Sequence, residues 1–200
     1  MPNPPFETLL SSTVSRGQYL ALEFQQDKTE LANFLKQRFS ERYILPFERN
    51  EKKNGFIMMA SACLMIESLE SFWNGWIKSP NSALSFCQFF DRVERFAVFR
   101  GHSNSFYVNV RCGIMHQGET TGGWHIRRDL PSLFNPDTLT LDATRFLAAL
   151  DGYISDYSKA LAVAKWNEQI WKNFRRKMKA ICANTEAVRP QNSHRAQSSI

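Results

Sequence analysis

Two hundred residues, 43% hydrophobic and 13% aromatic with sixteen Phe, supply enough apolar surface for one sizeable core and exclude a wholly disordered chain. A formal charge of +6 and a pI near 9.3 favour contact with phosphates or other anions. The N-terminus lacks a basic start followed by an apolar run, and no stretch of about eighteen apolar residues occurs, so neither a signal peptide nor a membrane span is expected.

In chain order, residues 1–16 are rich in Pro and Ser and are expected to form a flexible N-terminal segment. Helical periodicity starts near Asp27, where Leu31, Phe34, Leu35, Arg38 and Phe39 follow three-four spacing until Pro46. After a polar loop at 49–55, residues 56–76 predict a central helix with one apolar stripe through Met59, Cys63, Ile66, Leu69 and Trp73. Glu67, Glu70 and Asn74 share a flank of that helix. A third helix is expected over 83–100, burying Phe86, Phe89, Phe90, Val93 and Phe96.

Residues 106–117 carry two patterns. Phe106, Val108 and Val110 alternate as in a strand, whereas Tyr107, Val110, Ile114 and Gln117 fit a helix; the helical neighbours favour helix. Trp124–Arg127 and Thr138–Leu141 alternate briefly and suggest a small β-hairpin. Asp142 is a good N-cap for one long final helix, in which Leu150, Tyr157, Ala164, Trp171 and Met178 recur every seven residues. Residues 17–183 thus read as a single all-α domain, and 184–200 as a disordered polar tail.

Chemistry concentrates in Arg111-Cys-Gly-Ile-Met-His116. A permanently charged guanidinium near a residue type that exchanges protons around neutrality suits phosphodiester cleavage. Two other Arg and His pairs have similar spacing. Arg95 and His102 are separated by Gly101, and Arg189 and His194 lie in the polar tail, so only Arg111 and His116 share one periodic segment. Five positions of an ideal helix turn the two side chains about 140° apart. A two-fold axis near the segment would instead gather two such pairs in one cleft. The plainer reading is an Arg paired with Glu67 or Glu70 and a His capping the helix end.

A helical bundle with an Arg-x4-His motif near the end of an inner helix resembles the HEPN superfamily. Arg111–Thr120 followed by Gly123-Trp124 is similar to bacterial HEPN-like proteins, and the resemblance extends over residues 56–183. It implies an all-α HEPN-like bundle and a metal-independent endoribonuclease that works by attack of the ribose 2′-hydroxyl. Arg111 would hold the phosphate and His116 would act as acid or base. It further implies a homodimer, and a toxin–antitoxin or antiviral defence role with a protein antitoxin or regulator as partner. Cys112 departs from the polar residue that many active members carry there, which leaves a catalytically inactive RNA- or protein-binding module as the alternative. Gly118 stands where a subset carries Tyr.

Trp124, Arg127 and Arg128 form a second candidate contact for RNA, by stacking and phosphate pairing; a hairpin edge with solvated charge is the alternative. Glu67 and Glu70 are candidates for orienting Arg111. The basic side of the final helix could follow an RNA backbone. Cys63, Cys87, Cys112 and Cys182 lack metal-ligand spacing and read as reduced core thiols of a cytoplasmic protein, so neither metal nor cofactor is expected.

Overall fold

Ser15 opens the first helix with a reciprocal cap. Its hydroxyl accepts from the Gln18 N–H, and the Gln18 side chain accepts from the Ser15 N–H. This helix, α1 (Arg16–Gln25), ends at Gln26 in a left-handed conformation. Asp27 then caps α2 (Lys28–Phe39), whose Leu31, Phe34, Leu35 and Phe39 are buried. The computed structural model describes residues 8–48, 51 and 54–185. Most of the expected N-terminal segment, most of the 49–55 loop and nearly all of the C-terminal tail, with Arg189 and His194, lie outside those residues.

Pro46 follows a short π-helical stretch at Ser40–Ile44, as a helix terminator should. The central helix α3 (Gly55–Asn74) is capped by Gly75 at φ 68°. It packs against α4 (Ser82–Arg92), α7 (Ala143–Val163) and α8 (Gln169–Asn184). By length and composition α3 could cross a membrane, yet more than half of it is buried among these neighbours.

The predicted third helix stops at Val93, whose backbone is extended, and continues as a 3-10 turn over Glu94–Phe99. Phe96 and Phe99 still reach the core. They join Phe86, Phe89, Phe90, Phe106 and Phe146 in one aromatic cluster, with Phe90 stacked on Phe99 at 4.9 Å and Phe106 on Phe146 at 5.7 Å. Each fully buried Phe contributes roughly 1.5–3 kcal/mol, which is why the period of the Phe residues outlasts the helix itself.

Residues 103–117 form one continuous helical run, so the helical alternative holds. It comprises α5 (Ser103–Phe106), a π-helical stretch (Tyr107–Cys112) and α6 (Gly113–Gln117). The small β element departs in topology from the expected hairpin. β1 (His125–Arg127) does pair with β3 (Thr140–Asp142), but in parallel; the antiparallel partner of β3 is β2 (Phe134–Asn135).

The long final helix is two helices. Asp142 caps α7 through the Arg145 N–H, as its position predicts, but Ala164 turns extended and α8 begins at Gln169. Glu168 accepts the Lys165 N–H, and Trp171 donates to the Leu161 carbonyl, which folds α8 back. Each half buries its own apolar stripe, so the seven-residue recurrence survives the break. Residues 8–15, expected to be loose, are held instead: Leu10 is buried, and its carbonyl accepts from Arg38 and Arg42.

Candidate active site

Arg111 lies in the π-helical stretch, which crosses α3. Its Nε donates to Glu67 Oε1 at 2.9 Å, and the other Glu67 oxygen accepts the Ser82 hydroxyl at 3.0 Å. One carboxylate thus ties three elements together and leaves the terminal guanidinium nitrogens unused by Glu67. Both side chains retain slightly under a fifth of their exposure. Burial opposes the Arg111 charge, but the bond to Glu67 and its negative charge outweigh burial and hold the guanidinium above its usual value. The neighbouring Tyr107 phenol is pushed up by its hydrogen-bond interaction with the Cys112 thiol and by burial.

His116 is exposed in the last turn of α6 and makes no hydrogen bond or ion pair among the described residues. The helix-end cap considered for it is instead the Gly118 backbone N–H donating to the Ile114 carbonyl. No hydrogen bond joins His116 to Arg111. The ideal-helix angle of about 140° does not apply unchanged, because Arg111 belongs to the π-helical part of the run and His116 to the α-helical part.

The loop after His116 is folded tightly onto its own helix. Thr121 donates its N–H and its hydroxyl to Asn109, and Thr120 donates to the Trp124 carbonyl. Gly113 and Gly122 permit this approach, since a Cβ at either would collide with Glu119 or Asn109. Beside the loop an open cleft of about 530 Å³ is lined by Phe56, Glu119, Thr120, His125 and Arg127.

The other sequence candidates divide. Glu67 meets Arg111, but Glu70 does not: its fully buried carboxylate pairs with Arg92, which also donates to the Tyr153 hydroxyl. Trp124 is not a stacking platform. It is 2% exposed, stacks on Phe134 at 5.1 Å and donates to the Ser105 hydroxyl. Arg127 is exposed and paired in bidentate fashion with Asp129; Arg128 donates to Asn54 and Thr144. His125 was missed, although the alternation of β1 marks it: Trp124 and Ile126 point inward while His125 and Arg127 point outward.

Chemically, the arrangement offers a fixed cation and, on the same helical run, an unencumbered imidazole that can exchange a proton. Among the described residues no group of three or more His, Cys, Asp or Glu is placed to hold a metal ion. Comparison of the chain with protein-family models, with curated proteins and with solved structures finds no match.

Proposed function

We propose that the protein is a HEPN-like endoribonuclease in which Arg111 and His116 act on the RNA backbone without a metal ion. The observation that carries this reading is a Glu67-oriented Arg111 on one helical run with an exposed His116 that has no side-chain partner among the described residues. In the reaction a base removes the ribose 2′-hydroxyl proton, the oxygen attacks the adjacent phosphorus, and the 5′-oxygen leaves with a proton. The products are a 2′,3′-cyclic phosphate and a 5′-hydroxyl. Arg111 stabilises the charge that grows on the phosphoryl oxygens, and His116 gives or takes one of the two protons.

A homodimer belongs to the same reading. Leu64 precedes Glu67 by one helical turn, and Val108 and Met115 flank Arg111 by about one turn on either side; all three are exposed. Burying them against a second copy would bring two Arg–His pairs together. A cytoplasmic toxin or phage-defence effector, restrained by a protein antitoxin or regulator, is the setting this chemistry fits.

Cys112 and the neutralising Glu67 favour a second reading, a catalytically silent module that binds RNA or a protein partner. Incubation with single-stranded RNA in EDTA separates the two. Cyclic-phosphate ends that disappear in His116→Ala support the enzyme. Tight binding without cleavage supports the module.

A further inference from the structure

α1 and α8 run antiparallel and border an open groove of about 770 Å³. Arg16 donates to the Cys182 carbonyl at one end, and Tyr19 packs on Phe174 midway. At the other end the Trp166 ring is covered by the Arg175 guanidinium at 4.3 Å and by Trp171 at 4.9 Å. These contacts close the ends of the groove and leave its long walls open. On one wall Leu20 and Phe24, a helical turn apart on α1, are 43% and 89% exposed. On the other, Lys172, Arg176 and Lys179 follow one another along one face of α8. All three are exposed, and their side chains make no hydrogen bond or ion pair among the described residues.

An apolar ridge on one wall and a cationic stripe on the other are the two halves of a surface that takes an amphipathic helix. A single exposed Phe is ordinary, but apolar side chains at i and i+4 beside a groove match the three-four spacing of a third helix laid between the two. The cationic stripe is about 10 Å long and α1 from Arg16 to Phe24 about 12 Å, so two to three turns of a partner helix cover both. Among the described lining residues Glu23 is the one acidic side chain, and charge complementarity therefore asks for an acidic partner. A second copy of this chain would set the same three cations against themselves. Residues 186–200 carry Arg189 and Arg195 against Glu186, the wrong charge for this groove. A phosphate chain would meet the cations but leave Leu20 and Phe24 uncovered.

We propose that the groove between α1 and α8 docks an acidic amphipathic helix of a partner protein, its apolar stripe on Leu20 and Phe24 and its carboxylates on Lys172, Arg176 and Lys179. Neither Arg111 nor His116 lines the groove, so the inference stands apart from the ribonuclease reading.

The test is fluorescence anisotropy of the full chain with labelled synthetic peptides of about fourteen residues, or about four helical turns. One peptide has Leu at three-four spacing among Glu and Ala. A second has the same composition with Leu scattered, and a third has Lys in place of Glu. The acidic amphipathic peptide is expected to saturate below about 100 μM, about tenfold tighter than the other two. Phe24→Ser should weaken it about tenfold with the melting temperature unchanged, because the ring is exposed. Arg176→Glu with Lys179→Glu should do the same and transfer binding to the Lys peptide, a reversal that loss of folding cannot produce. Arg111→Ala should bind as the parent does. Absence of saturation, equal binding of the scattered peptide, or indifference to both groove variants would overturn the proposal. So would a single-stranded RNA that displaces the peptide and is itself unaffected by Phe24→Ser, or a dimer of this chain that dissociates in Phe24→Ser.

Discussion

Two Glu–Arg pairs leave α3 three residues apart, and they are built differently. Glu70 is fully buried, and its partner Arg92 sits over the rings of Trp73 at 4.1 Å and Tyr153 at 5.5 Å, with the Tyr153 hydroxyl as a further acceptor. Glu67 keeps some access to solvent, and Arg111 has one aromatic neighbour, Tyr107, at 5.8 Å. The Glu70 carboxylate is enclosed, and although Arg92 keeps a quarter of its side chain exposed, it lies over Trp73 and Tyr153, so the first pair holds α3, α4 and α7 together. The second is anchored through one nitrogen and has reach left over. Identical residue types are therefore fixed on several sides in one place and through one nitrogen in the other, and the difference in enclosure lies with the Glu rather than the Arg.

The largest effect expected from breaking this contrast is on stability at the closed pair. Glu70→Ala strands a partly buried guanidinium and should cost about 3–5 kcal/mol in chemical denaturation, with any RNA cleavage by the surviving folded fraction unchanged. A loss below about 1 kcal/mol, the range of exposed pairs, would erase the distinction.

At the open pair the loss should fall on rate. Arg111→Ala is expected to lower RNA cleavage at least a hundredfold, roughly the effect of deleting one transition-state donor, while unfolding free energy falls by less than at Glu70, because Glu67 keeps the Ser82 hydroxyl and partial access to solvent. A variant that unfolds before it loses activity would make Arg111 a second Arg92. Glu67→Gln is the gentler probe. It keeps a hydrogen bond to Arg111 but removes the charge, and cleavage should fall by about tenfold or less with the melting curve in place.

The smallest effect is a pH dependence. Burial pushes the Glu70 carboxyl up, against the opposing pull of Arg92 and Asn74. A folded-state value above the unfolded one means that the folded chain takes up this proton more readily. The resulting stability is fully present below the ordinary Glu value of ~4.3 and fades as pH rises through the raised one. The stability of the parent relative to Glu70→Gln should therefore be greatest near pH 4 and decline toward neutrality. A difference that instead grows with pH would show the Arg92 pair outweighing burial.

Much of this architecture was legible in the residues. The stripes of α2 and α3, the caps at Asp27 and Asp142 and the terminator at Pro46 are local signals, and local signals can be read without knowing the fold. The shared flank of Glu67, Glu70 and Asn74 was visible too. Which Arg each Glu meets was not, because that depends on where α4 and the 103–117 run cross α3. The breaks at Val93 and Ala164 carry neither Gly nor Pro, and are imposed by where Phe96 and Trp171 must pack. The first helix was overlooked because Tyr19 is its only buried residue, although Ser15 and Gln18 spell its capping box. Trp124 read as a platform because an aromatic beside two Arg looks the same in sequence whether its ring faces out or in.

The π-helical turn that carries Arg111 has a consequence for how this segment can change over generations. A π turn holds one more residue than the α turn it replaces. Loss of any single residue from 107–110 would let the run relax into plain α-helix, shortening the arm between the Phe106 anchor and Arg111. Because the π turn is what absorbs the extra residue, everything after the gap would stay nearly in phase about the axis, and the guanidinium would keep its side of the helix toward Glu67. A deletion in the α-helical part at 113–115 has no such slack and would turn His116 by about 100°, so the spacing of the pair is forgiving on the Arg111 side and strict on the His116 side.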